Sequence, residues 1–346
     1  MSYIKVIRPG INVTIQDKGR PGTQHLGVPV SGVLDPIAMR LSNALAGNPD
    51  DICVLEIALV GPTLEVEADS VRVALAGTRG QIEVLGDQIT RLPAHQSIRF
   101  ARGQRFRVGT LTDTANAVLA VEGGFSVASL YGSKSTYKRA AIGGHAGRAL
   151  VEGDRLPLGR NAVEGRGELQ LFSDNYLDEE GPLRVIMGPQ DDYFTDAALR
   201  NFLERPYTIT RESDRMGMRL QGPLLEHSRG YNIVSDGIVT GAVQVPGNGS
   251  PIILLADHQT TGGYPKIATV ISADLPRLGR AQPGDIINFE EVNIEAAEEA
   301  RRVQEVMVSE LIDTMVPAGA WLDKTALYSE NLISGIELME KQVSPV

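Results

Sequence analysis

Short apolar runs, cut by Gly and Pro, are the feature that most limits what this chain can fold into. They recur from the N-terminus to about residue 290. Examples are Ile4–Ile7, Cys53–Leu59, Val71–Ala76, Ala117–Val121, Leu183–Met187 and Ile252–Ala256. Runs of this length are typical of strands, and many closely spaced strands with turn residues between them indicate barrels or sandwiches. The sequence therefore predicts a mainly β protein.

Three local patterns predict particular elements. Arg72–Leu75 and Ile82–Leu85 flank a Gly-containing turn, which predicts a β-hairpin. Asp35–Leu45 predicts a helix, because Asp35 suits the N-cap and is followed by Pro, and a Gly lies just past the end. Asp192–Leu203 predicts a second helix.

Chain length and local composition predict the domain organisation. The 346 residues suggest two domains at about 150 residues each. We place the linker in the polar stretch Gly159–Gly181, which gives domains at 1–160 and 182–291 and a helical extension at 292–346.

The C-terminal extension predicts a long helix with Asn293 as its N-cap and an ion pair between Glu298 and Arg302. The predicted apolar stripe consists of Ala296, Ala300, Val303, Met307 and Leu311. Either the protein's own barrel or a partner subunit must cover that stripe. A weaker helical pattern runs from Lys324 to Lys341.

Charge and cysteine content exclude several classes of function. The net charge of −10 argues against nucleic-acid binding, which needs clustered Lys and Arg. A single cysteine, Cys53, excludes an internal disulfide and a Cys-based zinc site. No apolar stretch approaches the length of a membrane span, and no secretion signal is present, so we expect a cytoplasmic protein.

Common catalytic motifs are also missing. The segment Gly132–Thr136 is similar to the end of a phosphate-binding P-loop, but Ser133 separates the Gly from the Lys. The five histidines show no metal-binding spacing, so we expect no metal site.

Three polar, Gly-rich segments remain as candidates for a site. They are Gln16–Gly22 with Gly27–Asp35, then Glu212–Leu220, and then Ser235–Lys266. Gly lets a backbone N–H approach a ligand closely, and Asp, Gln, Thr and Tyr match amide or urea groups. The last segment carries more polar side chains than a turn needs.

Each segment also has a structural interpretation. Asp17–Gly19 could form only a hairpin turn, and Asp214 could pair with Arg215 as a structural ion pair. His258, taken alone, is better interpreted as a hydrogen-bonded structural residue than as a base.

At these segments the chain resembles the KipA or allophanate hydrolase subunit 2 family of biotin-dependent carboxyltransferase-like proteins. The matching stretches are Thr14–Arg20, Gly27–Asp35, Asn43–Asn48, Leu55–Ile57, Val121–Gly124, Leu130–Thr136, Asp214–Gly217, Gly241–Pro246 and Asp257–Lys266. The resemblance implies two cyclophilin-like β-barrel domains and a KipI-like partner subunit. It does not extend to the C-terminal helical tail.

Three activities are implied by the resemblance. One is that of the C-type subunit of an ATP-dependent 5-oxoprolinase, which opens 5-oxo-L-proline to L-glutamate together with KipI-like and LamB/YcsF-like subunits. A second is the carboxyltransferase part of a biotin-dependent urea or amide carboxylase. A third is a non-catalytic regulatory module paired with a KipI-like protein. We expect the first, because the sequence contains no fused carboxylase segment and no biotinyl-lysine motif.

Cofactors and assembly are expected to depend on other chains. No cofactor is expected to be bound covalently, and the complex or a partner would supply ATP or carboxybiotin. The substrate would be a small amide or lactam. A homo-oligomer and activity of the isolated chain are both left open.

Family position and residue type together suggest roles for the candidate residues. The expected catalytic residues are Asp257, Tyr264 and Lys266. The expected substrate-binding residues are Arg215, Asp236, Gln244, Gln259, Thr261, Gly262 and Gly263. Lys266 and the backbone N–H groups of the Gly262–Gly263 turn would stabilise charge on the amide oxygen, while Arg215 would bind a carboxylate.

Overall fold

The computed structural model describes residues 2–163 and 165–318, and most of the regular structure in them is β. The strands are β1 (Tyr3–Arg8), β2 (Ile11–Gln16), β3 (Val54–Ala58), β4 (Thr63–Val66), β5 (Ser70–Ala76), β6 (Gln81–Leu85), β7 (Thr90–Pro93), β8 (Ser97–Ala101), β9 (Arg105–Val108), β10 (Asn116–Val121), β11 (Arg155–Pro157), β12 (Leu169–Gln170), β13 (Leu183–Met187), β14 (Tyr207–Ile209), β15 (Gly217–Gln221), β16 (Asp236–Gly237), β17 (Ala242–Gln244), β18 (Ile252–Leu254), β19 (Thr261–Gly262), β20 (Lys266–Val270), β21 (Ile286–Ile287), β22 (Phe289–Glu291) and β23 (Val316–Pro317). The α-helices are α1 (Pro36–Ala46), α2 (Asp196–Glu204), α3 (Leu275–Arg280) and α4 (Ile294–Asp313). The prediction of a mainly β chain with a helical C-terminal extension is confirmed.

The N-terminal part consists of two sheets that share one core. One sheet has the order β11-β1-β4-β9-β6-β7 and the other the order β2-β3-β10-β5-β8. Phe100 on β8 stacks on Phe106 on β9 with ring centroids 4.4 Å apart, which joins the two sheets through their buried faces. The side chains of this core come from residues between Ile4 and Leu158.

Helix α1 covers the outer face of the second sheet, and its prediction is confirmed in detail. The Asp35 carboxylate caps the helix by accepting from the Ala38 N–H at 3.0 Å, and Gly47 ends it in the left-handed region with φ 81°. Small residues on β5, Ala74 and Ala76, face the helix and let it pack closely.

The predicted hairpin between Arg72–Leu75 and Ile82–Leu85 is wrong. Strand β5 pairs with β10 and β8, whereas β6 pairs with β9 and β7 in the other sheet. The connection crosses between sheets because Asp113 accepts hydrogen bonds from Thr78 Oγ1 and the Arg79 N–H, each at 2.6 Å. A carboxylate more than 30 residues away therefore decides the path of this turn.

The C-terminal part is an eight-stranded, nearly closed barrel in the order β21-β14-β15-β18-β17-β20-β13-β22. Helix α2 packs on it by stacking Phe202 on Phe289 at 4.3 Å. This helix begins four residues later than predicted, at Asp196, because the Thr195 side chain caps it while Asp191–Tyr193 form a separate 3₁₀ turn. The division of the chain into domains at 160, 182 and 291 stays a prediction.

Helix α4 follows the barrel. Asn293 caps it by accepting from the Ala296 N–H at 2.8 Å, and the predicted pair of Glu298 with Arg302 forms at 3.1 Å. Ala296 and Val303, in the first half of the predicted apolar stripe, are exposed, so the protein's own chain does not cover the stripe there, and its coverage by a partner subunit stays a prediction.

The C-terminal half of α4 packs against the body of the protein, where the Gln304 side-chain amide donates to the Ala273 carbonyl at 2.6 Å. Val308 and Leu311 are buried in the cluster that surrounds α1, which confirms packing on the protein's own chain at this end. The helical pattern predicted for Lys324–Lys341 lies outside the described residues. Among the described helices, none has the length and apolar character needed to cross a membrane.

Candidate functional site at the junction of the sheets and the barrel

The first and last of the three Gly-rich segments meet at the junction between the N-terminal sheets and the barrel. The Ser31 N–H donates to the Ala256 carbonyl at 2.9 Å, and the Gln24 side-chain amide donates to the Ile238 carbonyl at 2.9 Å. The loop that follows β2, residues 17–33, therefore lies directly against barrel loops that are more than 200 residues later in the sequence.

A buried carboxylate holds this loop in place. Asp17 accepts from Ser133 Oγ at 2.6 Å, from the Lys134 N–H at 2.6 Å and from Ser135 Oγ at 2.5 Å. The segment that resembles a P-loop is thus a clamp for Asp17. A side chain at Gly32 would place its Cβ 2.9 Å from the Gly19 nitrogen, so the return of the loop requires glycine there.

Arg215 ties the loop, the sheets and the barrel together. Its Nε donates to Asp257 at 2.8 Å, its Nη1 donates to Glu56, and its Nη2 donates to the Gly32 carbonyl at 2.6 Å. Burial alone would lower the pKa of Arg215, but the charges of Glu56 and Asp257 outweigh that effect and raise it. The alternative pairing of Arg215 with Asp214 is wrong.

Asp214 instead has a local structural role. Its carboxylate accepts from the Met216 N–H at 2.8 Å and so forms the turn before β15. The donors of Arg215 are directed at two protein carboxylates and the Gly32 carbonyl, and its predicted role in binding a substrate carboxylate stays a prediction.

Arg215 and Asp257 line a cavity of about 270 Å³ between the N-terminal sheets and the barrel. Its apolar lining includes Leu34, Leu59, Ile209, Met216, Met218, Leu255 and Leu278. Its basic lining includes Lys138, Arg139 and Arg211. The other eight predicted site residues do not line this cavity.

A second group of predicted residues lies around Lys266. The ammonium group is buried and donates to Asp236 at 2.7 Å and to the Gly237 carbonyl at 3.3 Å. The hydrogen bond from Lys266 lowers the pKa of Asp236, which is exposed. Gln244 pairs with Lys266 in the register of β17 and β20.

The amide side chains of Gln244 and Gln259 complete this group. Gln259 donates to the Gln244 oxygen at 3.3 Å. A Cβ at Gly262 would lie 2.5 Å from the Gln244 nitrogen, so β19 passes close to this side chain. The structure therefore brings Asp236, Gln244, Gln259, Gly262 and Lys266 together.

The remaining predicted residues lie at the surface of this group. Tyr264 is 42 % exposed and Thr261 is also exposed. Gly263 accepts from the Ile233 N–H through its carbonyl at 2.9 Å. The catalytic role of Tyr264 and the binding roles of Thr261 and Gly263 stay predictions.

Comparison with known proteins identifies the family to which this architecture belongs. Residues 26–291 match the family described as carboxyltransferase domain, subdomain A and B. The chain belongs to this family. It is 37 % identical to the C-type subunit of 5-oxoprolinase from Escherichia coli K12, over 87 % of this chain and 95 % of that protein. It is 34 % identical to the corresponding 5-oxoprolinase protein of Haemophilus influenzae, over 86 % of this chain and 94 % of that protein.

A solved structure places the family's fold in a larger protein. The crystal structure of the K. lactis urea amidolyase superimposes with a TM-score of 0.81 at 27 % identity, over 89 % of this chain. The match covers 20 % of the urea amidolyase chain, so this chain corresponds to about a fifth of that protein's length.

Within this carboxyltransferase domain, Glu56 lines the candidate site, and the sequence predictions did not include it. It is 3 % exposed and accepts from the Leu34 N–H at 2.7 Å in addition to its bond with Arg215. The signal was present in the sequence, because a carboxylate inside the apolar strand β3 requires a buried partner. Arg20, Ser31 and His258 were also not assigned to the site, although all three are buried at the junction.

Proposed function

We propose that this chain is a subunit of an ATP-dependent 5-oxoprolinase, which opens the lactam of 5-oxo-L-proline to give L-glutamate. The match to the C-type subunit of the E. coli 5-oxoprolinase, over 95 % of that protein, is the observation that carries the proposal. The urea amidolyase match concerns only about a fifth of a much longer chain. A match along almost the whole of a subunit favours the function of that subunit.

The chemistry of lactam opening suits the polar group around Lys266. Water adds across the ring C–N bond, so that hydroxyl reaches the carbonyl carbon and a proton reaches the nitrogen. Negative charge develops on the carbonyl oxygen as the hydroxyl adds. A buried ammonium group stabilises such charge more strongly than an exposed one, because little water screens it. In this proposal Lys266 leaves its pairing with the exposed Asp236 only as the charge develops, and it then adds to the donor that binds the oxygen in the unreacted amide.

Partner subunits would complete the enzyme and its binding of ATP. We propose that the enzyme is completed by a KipI-like and a LamB/YcsF-like subunit, and that the assembled complex binds ATP. The contribution of this chain is then to bind and orient the amide at the junction. Asp257, held by Arg215, keeps the neighbouring loop in position for that purpose.

Reconstitution tests this function. The chain is co-expressed with the two proposed partners, and ATP-dependent formation of glutamate from 5-oxo-L-proline is measured with and without this chain. Lys266→Met should lower the rate roughly 100-fold or more, as expected for loss of an oxyanion-stabilising group. Lys18→Met is the matched control, because Lys18 is 64 % exposed in the same junction loop. A stable complex of all three proteins without ATP-dependent glutamate formation would refute the proposal.

A second candidate is the carboxyltransferase subunit of a biotin-dependent urea or amide carboxylase. The superposition on the K. lactis urea amidolyase favours it. In that case a biotin carboxylase and a biotin carrier, rather than the two partners above, should give urea-dependent ATP hydrolysis with this chain. Binding to a KipI-like protein without turnover in either assay would support the regulatory alternative.

A further inference from the structure

Five buried side chains of the candidate site carry polar atoms that have no hydrogen-bond partner among the described residues. The atoms are Gln16 Oε1, Arg20 Nε and Nη1, Ser31 Oγ, Gln244 Nε2 and His258 Nε2. Each of these side chains belongs to a residue that is 5 % exposed or less. Buried polar groups in native proteins are nearly always paired, so a concentration of unpaired ones indicates a place that receives a polar ligand.

Backbone contacts bring these residues to one place. Gln16 and Arg20 are anchored side by side, because they donate to the consecutive carbonyls of Thr136 and Ser135. The Arg20 N–H donates to the Val30 carbonyl at 2.8 Å, which places Arg20 beside Ser31.

The barrel supplies the opposite side of this place. The Ser31 N–H donates to the Ala256 carbonyl, two residues before His258. The charge of Asp257, which is next to His258 in the sequence, raises the pKa of both Arg20 and His258 against the effect of their burial. Ser31 also has a φ of 55°, a strained conformation for a residue with a side chain, and such strain is often found at functional sites.

The hydrogen bond at Nδ1 determines which ring nitrogen of His258 carries the proton. Its Nδ1 lies 2.6 Å from the Gln259 carbonyl, which can only accept, so Nδ1 carries the proton. Burial lowers the pKa of His258, although the Gln259 carbonyl and Asp257 oppose this, and the ring is neutral near pH 7. Nε2 is therefore a free acceptor, whereas the unpaired atoms of Arg20 are donors.

We propose that Arg20 and His258 bind the two polar groups of a cis amide, with Arg20 donating to the carbonyl oxygen and His258 Nε2 accepting from the N–H. A lactam or a urea presents a C=O and an N–H on the same edge, as this arrangement requires. An ordinary trans peptide presents them on opposite sides. A carboxylate would direct a second acceptor at Nε2, so the pair selects amides over acids. The choice of 5-oxo-L-proline as ligand rests on the proposed function, whereas the selection of a cis amide does not.

The test follows the nitrogen-15 NMR signal of His258 Nε2 in the full-length chain. It is assigned with His258→Asn, in which the amide replaces Nδ1 but no atom replaces Nε2. The probes are 5-oxo-L-proline, its N-methyl derivative, urea, and cyclopentanecarboxylate as an acid without an amide. We expect 5-oxo-L-proline to shift the Nε2 signal and the N-methyl derivative to bind at least 10-fold more weakly. His258→Asn and Arg20→Gln should each weaken 5-oxo-L-proline binding at least 10-fold, and His227→Asn, a histidine with a ring nitrogen 3.1 Å from the Val245 carbonyl, should leave it unchanged.

The outcomes separate this inference from the proposed function. A shift with urea but not with 5-oxo-L-proline supports the cis-amide site and counts against the oxoprolinase. Equal binding of 5-oxo-L-proline and its N-methyl derivative overturns the inference, even where reconstituted enzyme forms glutamate. The absence of a shift with both 5-oxo-L-proline and urea also overturns the inference. The comparison of ligands uses the unmodified protein, so it does not depend on whether the variants fold.

Discussion

Removing Arg215 should destabilise the protein strongly, because two buried carboxylates would then lose their counter-charge. The side chains of Glu56 and Asp257 are only 4 % and 6 % exposed. Loss of one partner from a buried ion pair costs about 3–5 kcal/mol, since the remaining charge stays in a poorly solvated place. Arg215→Met keeps most of the side-chain volume, so we expect a loss within that range rather than a cavity effect.

Thermal unfolding followed by calorimetry measures this loss. At about 2 °C per kcal/mol for a large domain, the midpoint should fall by roughly 6–10 °C. Arg219→Met is the matched control on β15, because Arg219 is 52 % exposed and pairs with Glu212 only at 3.9 Å. An exposed pair of this kind contributes about 1 kcal/mol or less.

A double-mutant cycle tests the cause. In Arg215→Met with Glu56→Gln, one of the two buried charges is removed together with the arginine, so the double variant should be more stable than the sum of the single losses predicts. We expect a coupling energy of about 1–3 kcal/mol. Additive losses, or a loss below about 1 kcal/mol for Arg215→Met, would refute the view that this network holds the junction together.

Two further predictions concern regions away from the junction. Burial lowers the pKa of His95 to about 4, so the unfolded chain takes up a proton between about pH 6.5 and pH 4 that the native chain does not. The free energy of unfolding, measured in urea titrations, should therefore fall by about 3 kcal/mol as the pH is lowered over that range. His95→Gln should lose this part of the pH dependence. An unchanged pH dependence in the variant would contradict the prediction. On α4, Leu311→Ala should cost about 2–5 kcal/mol in thermal unfolding, and the exposed Val303→Ala less than about 0.5. Equal effects of the two substitutions would mean that α4 does not pack as described.

Local chemistry explains which parts of the fold the sequence predicts correctly. Helix α1 has a Pro in its first turn, and its N-cap Asp35 and terminal Gly47 directly flank it, so neighbouring residues are sufficient to define it. The connection between β5 and β6 has hairpin-like neighbours as well, yet Asp113 directs it into the other sheet. Strand pairing depends on such distant contacts, and local patterns do not contain them.

The same distinction applies to the site. Its polar, Gly-rich segments are recognisable because core strands and ordinary turns need few such residues. The partners of Arg215 cannot be recognised in the sequence, because Asp214 is adjacent to it in sequence, whereas Glu56 and Asp257 become adjacent only after folding. His258 illustrates the intermediate case. Its structural hydrogen bond at Nδ1 agrees with the structural interpretation, but only the burial of Nε2 without a partner indicates a further role.

The location of the amide is the most direct test of this account. A crystal structure of the chain, alone or assembled with its proposed partners, would be determined with 5-oxo-L-proline bound. We predict density for the lactam between the loop after β2 and the barrel, with its oxygen at Arg20 and its nitrogen at His258. Density only in the cavity beside Arg211, or only on a partner protein, would contradict the claim that this junction binds the substrate.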